Sequence, residues 1–158
     1  MKNLVIYYSY SNNSKRLVKD LAKKFDFDSY EVKEIDKNET KNRIKFLHNA
    51  FKSIVNSEVE VENCNLDLTT YDTVVYVSAV WAGNLTAPMR SFINKYPLNK
   101  QRYAYCYLHE GGPGKYENKF ENLMADNNLL GKIELKSVKK SYDQEFNKLA
   151  KWYQSIIK

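Results

Sequence analysis

Short apolar runs alternate with stretches of helical spacing along the chain, and this alternation predicts a sheet covered by helices. Residues 3–8, LVIYY with its flanks, read as a buried strand ended by turn formers. From Ser14 onward Leu17, Val18, Leu21, Ala22 and Phe25 share one helical face, with Ser14 or Asn13 placed to cap it. YEVKEI, 30–35, alternates as an edge strand with one exposed face. Over 41–57, Ile44, Leu47, Phe51, Ile54 and Val55 predict another helix, its lysines and Arg43 mostly off the apolar face. YDTVVYVSAV, 71–80, is the second strongly apolar strand. Met89, Phe92, Ile93 and Tyr96 mark a helix that stops before Pro97. RYAYCYL, 102–108, is a third buried strand, and Tyr116, Phe120, Leu123 and Met124 mark the helix after it. KIELKSV, 132–138, alternates as a strand. Tyr142, Phe146, Leu149, Ala150, Tyr153 and Ile156 close the chain as a helix.

Strand and helix in turn, with no linker, repeat or low-complexity tract, predict one α/β domain over 1–158: a parallel sheet with helices on both faces. Ligands of such sheets sit beyond the carboxyl ends of the strands, near the topological switch point. Here the three most buried strands each run into a conspicuous loop: SYSNNS, SAVWAGN and LHEGGPG. All three are expected at one edge of the sheet.

The chain has 158 residues, and its hydrophobic fraction of 43% is ordinary for a folded protein. No apolar run approaches the roughly 20 residues of a membrane-spanning helix. The N-terminus reads as a first strand and not a signal peptide. Cys64 and Cys106 lie far apart without metal-ligand spacing, which predicts two reduced thiols in a cytoplasmic protein. The net charge of +6 favours anionic partners as a field effect. His48 and His109 have no ligand pattern around them, there is no G-x-S-x-G elbow, and no nucleic-acid motif is present.

The loops carry the candidate chemistry. In the first, Ser9, Ser11, Asn13 and Ser14 precede a helix, whose free N–H groups and dipole favour an anion. An ordinary capped turn would look the same. In the second, Trp81 offers a flat face for stacking, and Gly83 permits close approach; a Trp covering a core edge is the plainer alternative. The third, Gly111-Gly112-Pro113-Gly114, exposes backbone N–H groups but matches neither a Walker A loop nor G-x-G-x-x-G. Together they describe a ligand with a phosphate at one end and a flat, polar-edged ring at the other.

That combination resembles the flavodoxin family, whose cofactor is FMN, over essentially the whole chain. Ser9-Tyr10-Ser11-Asn12-Asn13-Ser14 looks like its phosphate loop, S/T-x-S/T-G-N-T/S. Ala79-Val80-Trp81-Ala82-Gly83-Asn84 looks like its ring-stacking loop, commonly P-V-W-x-G. Glu110-Gly111-Gly112-Pro113-Gly114 falls where the family often has S-G-G-x-G, with His109 and Glu110 in place of the usual Thr/Ser pair. The resemblance implies a flavodoxin-like three-layer sandwich with a five-stranded parallel sheet in the order 2-1-3-4-5. It further implies that Ser9, Ser11, Asn13 and Ser14 hold the phosphate and that Trp81 lies against the isoalloxazine. Gly83 would sit near N5, its carbonyl orientation responding to redox state. The loop from Glu110 to Gly112 would meet the pyrimidine edge, and Tyr116 would be a second aromatic. Asn12 stands where the family usually has Gly, and as an Asn it tolerates left-handed angles. Ala79 replaces the common Pro. Glu110 near the ring would repel the reduced anion and lower its potential, and His109 could offset that charge or supply a proton.

Three functions follow: an electron carrier, an FMN-dependent reductase or dehydrogenase for a quinone or porphyrin-like substrate, or a flavodoxin-like binding module without cofactor. The redox partner expected of so basic a chain is an acidic or membrane-associated one.

Overall fold

The computed structural model describes residues 1–35 and 58–158. The helix expected over 41–57, and His48 with it, lie outside the described residues. In chain order the elements are β1 (Asn3–Tyr7), α1 (Asn13–Ala22), β2 (Asp28–Glu31), a 3-10 turn (Leu68–Thr70), β3 (Thr73–Trp81) and β4 (Asn84–Leu85). They continue as α2 (Ala87–Lys95), β5 (Arg102–His109), α3 (Tyr116–Leu123), β6 (Asn128–Lys136) and α4 (Tyr142–Ile156).

The sheet runs β2-β1-β3-β5-β6, and every pair along that path is parallel. β4 stands apart, a two-residue strand folded back antiparallel on the end of β3. Without it the parallel strands follow the expected order 2-1-3-4-5. β2 begins at Asp28, ahead of the expected Tyr30, and β6 begins at Asn128, four residues before Lys132.

Alternation along the strands sorts the side chains into two cores. Leu4, Ile6, Val74, Tyr76, Tyr103, Tyr105 and Tyr107 face one side, where they meet Met89, Phe92 and Ile93 of α2 and Tyr116 and Phe120 of α3. Val5, Tyr7, Val75, Val77, Ala104, Cys106 and Leu108 face the other, under Leu17, Val18 and Leu21 of α1 and Leu149, Ala150 and Tyr153 of α4. The central strands are therefore buried on both faces, which is why they read as continuous apolar runs. Leu17, Leu21 and Leu149 are buried and each contributes on the order of 1.5–3 kcal/mol. This two-sided packing fixes the sheet and leaves its carboxyl edge, where the strand-end loops emerge, free for a site. Among the described residues no helix is long and apolar enough to cross a membrane.

Candidate functional site

One cavity of about 580 Å³ opens at that edge. Its walls come from the ends of four strands. Ser9, Tyr10, Ser11, Asn13 and Ser14 follow β1; Ala79, Val80, Trp81, Ala82 and Gly83 end β3; His109, Glu110, Gly111, Gly112 and Gly114 end β5. The three loops singled out in the sequence therefore converge. Tyr8, Leu108 and Val138 complete the lining and were not anticipated. Tyr8 could have been found as the residue that carries the β1 alternation one step past its last ladder pair. Val138 could have been found from the loop after the last strand, which faces the same edge as the others.

The first loop turns into α1 through Asn12, whose φ of 64° and ψ of 0° are left-handed. The turn expected at this Asn is present. Asn12 is itself the N-cap, in place of the predicted Ser14 or Asn13, and it makes no side-chain cap bond. Ser9 reaches forward instead: the Lys15 amide donates to Ser9 Oγ at 3.1 Å. The first intrahelical bond runs from the Arg16 amide to the Asn12 carbonyl at 2.9 Å. The Asn13 and Ser14 amides precede that ladder, so they are available to an anion at the helix start. Lys15 turns away, its ammonium 2.7 Å from Glu31.

The second loop is a hairpin. Trp81 pairs with Asn84 across the two-residue turn Ala82-Gly83, with φ of 48° and 69°. Positive φ at both central residues makes the β3–β4 connection a primed turn, which matches the twist of the strands it joins. Asn84 is buried, its amide donating to the Ala82 carbonyl at 2.7 Å, and it braces the turn from outside the cavity lining. Trp81 is wedged edge-on by Tyr10, ring centroids 5.2 Å apart, and by Tyr8 at 6.1 Å. These contacts fix the indole plane without a ligand.

The third loop packs on the second. A Cβ at Gly114, where φ is 56°, would lie 2.4 Å from the Gly83 Cα and 2.6 Å from its carbonyl oxygen. The Lys115 amide donates to that carbonyl at 2.6 Å. The Gly83 carbonyl, whose orientation the resemblance ties to redox state, accepts that amide in this structure. His109 is buried beside the cavity with both ring nitrogens committed: Nδ1 accepts from the Gly112 amide at 2.8 Å, and Nε2 lies 2.6 Å from Glu134. Glu110 is exposed on the rim.

Tyr116 is a correction. It was expected as a second aromatic over the ring, but it is the first residue of α3 and is fully buried. Its hydroxyl meets Ser78 Oγ at 2.8 Å, and burial pushes its phenol well above the ordinary range. It stacks in the core with Phe120, on the inner side of β5. Asn12 is exposed and shapes the turn without lining the cavity. Among the described residues no group of His, Cys, Asp and Glu could hold a metal ion.

With this geometry in place, solved structures identify the fold. A flavoprotein from Lactobacillus acidophilus, in complex with FMN, superposes with a TM-score of 0.69 at 21% identity, covering 90% of this chain and 97% of its own. The general stress protein 14 of Treponema denticola, also in complex with FMN, gives 0.64 at 8% identity over 99% of both chains. The fold is flavodoxin-like. Two-electron reduced flavodoxin from Megasphaera elsdenii shares it with a TM-score of 0.54 at 11% identity, covering 84% of this chain and 85% of the flavodoxin. No protein-family model matches the sequence, and no curated protein does. The flavodoxin-like architecture is therefore shared with chains that have little sequence in common with this one.

Proposed function

We propose that this chain binds FMN and works as a redox protein, carrying electrons through the flavin. The observation that carries the reading is the convergence of the three loops on one cavity, with the start of α1 at one end and a fixed indole at the other. The residues fit the group. A volume of about 580 Å³ suits a small-molecule site. The Asn13 and Ser14 amides, with the hydroxyls of Ser11 and Ser14, supply neutral donors for a phosphate. Trp81 offers an apolar wall held by Tyr8 and Tyr10, and the Gly111 amide offers a donor to a polar ring edge. FMN, when bound, supplies the electron chemistry, and this chain binds, orients and shields it. The superposed Lactobacillus and Treponema proteins are both complexes with FMN, which supports the same ligand here.

The partner reading is an acidic protein. Lys136, at the end of β6, and Lys139 and Lys140, on the loop that contributes Val138 to the cavity, are exposed. Arg16 lies nearby, its guanidinium 3.6 Å over the ring of Tyr142. Positive charge beside the mouth would steer an anionic surface to the place where electrons leave. Cys64 and Cys106 are both free thiols, which supports a reducing, cytoplasmic setting.

The test is a visible absorption spectrum of the purified protein, then titration with FMN followed by fluorescence. Bound flavin, or stoichiometric quenching of added FMN, is the expected result. A colourless protein that leaves saturating FMN fully fluorescent sinks the reading.

A further inference from the structure

His109 is an unusual wall residue because it faces the protein more than the cavity. Its side chain is 5% exposed. The Gly112 amide can only donate, so Nδ1 is the acceptor and carries no proton; the ring proton is on Nε2 and is donated to Glu134. The imidazole in this arrangement is neutral. A protonated ring would present N–H at both nitrogens, and Nδ1 would then oppose the Gly112 amide donor to donor. Nothing lies within 4 Å of a Cβ built at Gly111 or Gly112, so that side of the loop faces open space. Gly112 sits at φ 128°, a conformation that favours glycine, and its amide is tied to the imidazole.

We propose that His109 is a positioning residue for the Gly111–Gly112 loop: neutral, it latches the loop into the cavity wall, and protonated, it lets the loop go. Among the described residues, charged groups flank His109 from several elements. β6 contributes Glu134, bonded to Nε2, and Lys136, paired in register with His109. Behind β6, α4 brings Lys148, bonded to the Glu134 carbonyl, and Glu145, which accepts from the Lys136 amide. On its own strand stand Tyr107, stacked at 6.2 Å and bonded to Glu117 of α3, and then Glu110. β3, the other neighbour of β5, ends in Ala79, Val80 and Trp81 with no titratable group. Among the described residues the only carboxylate bonded to the imidazole is Glu134, which keeps the ring in place in both charge states.

The consequence for ligand binding rests on the FMN reading above. A released glycine loop must be ordered again when the ligand enters, so affinity falls with pH. The expected loss is roughly tenfold, the factor for ordering about one backbone residue.

Two measurements on the full chain test this. Nitrogen NMR between about pH 8.5 and 5 follows the His109 ring and the Gly112 amide without ligand. The Nε2–H tautomer is expected at the alkaline end, with the Gly112 signal moving in step with His109. FMN titrations over the same range are expected to weaken roughly tenfold toward acid in the natural chain. In His109→Asn the Gly112 signal should stay still, and the FMN titrations should keep only the pH dependence of the ligand's own phosphate, because the Asn carbonyl accepts from Gly112 and does not titrate. Glu134→Gln, which removes the charge that would stabilise an imidazolium, should move the Gly112 transition to lower pH. A His109 that titrates while Gly112 stays still overturns the proposal, as does a His109→Asn chain that keeps the natural pH dependence. If FMN binds at no pH, the cofactor reading fails, and the Gly112 signal alone decides the latch.

Discussion

Single residues in this chain carry strain that its sequence could avoid. Ala82 occupies the first position of a primed turn at φ 48°, where an Asn is favoured and an Ala is not. Ala82→Asn should therefore raise the midpoint of urea unfolding, by about 0.5–1 kcal/mol in stability. Gly114 is the opposite case. Its α-hydrogen is all that fits against Gly83, so Gly114→Ala should cost about 2 kcal/mol or more and separate the two loops. The expected sign in a titration is weaker FMN binding together with a lower unfolding midpoint. Tyr76 is fully buried with no hydrogen-bond partner for its hydroxyl among the described residues. Tyr76→Phe should be neutral or stabilising by up to about 1 kcal/mol, and a clear destabilisation in urea would show that the hydroxyl has a partner after all.

Among elements, α3 is tied to the sheet by charge as well as by packing. Lys132 of β6 bridges Glu117 and Glu121, while Tyr107 donates to Glu117 and Tyr105 to Glu121. The Lys132 ammonium and then the Tyr107 phenol hold the Glu117 carboxyl below its ordinary 4.5. For Glu121 the Tyr105 phenol leads and Lys132 follows. A carboxyl depressed in the folded state binds fewer protons there than in the unfolded chain. Its stabilisation is present above about pH 4.5 and is lost as pH falls through the folded value. The stability gap between the natural chain and Lys132→Met, measured in urea, should accordingly shrink between neutral pH and about pH 3. These partially exposed pairs make a modest contribution each, and the network is what makes it measurable.

The same elements show what the sequence could and could not disclose. Buried parallel strands announce themselves as apolar runs, and the helices as apolar stripes, because both faces of the sheet are covered. β4 did not announce itself, because Ala82 hides the usual Asn-Gly signature of its turn. Tyr116 looked like a loop aromatic after three glycines, but the helix starts on it and turns it inward. The His109–Glu134 contact joins residues whose strands are brought together only by the β5–β6 ladder, so no spacing in the sequence reveals it.

For the whole molecule, cofactor and fold are linked by mass action. A ligand that binds only the folded chain, at a hundred times its dissociation constant, stabilises by about 2.7 kcal/mol. For a domain of this size that raises Tm by roughly 5–10 °C, so thermal melts with and without FMN should separate by that much. The Gly83–Gly114 contact gives such a ligand a longer reach. The amide that holds the Gly83 carbonyl belongs to Lys115, the N-cap of α3, and α3 ends its charged face on Lys132 at the outer strand of the sheet. Rotation of one peptide plane at the cavity would unseat the start of that helix. The jaws of the site and the outer strand of the sheet are thus joined through one helix, Lys115 gripping the Gly83 peptide at its start and Glu121 gripping Lys132 further along.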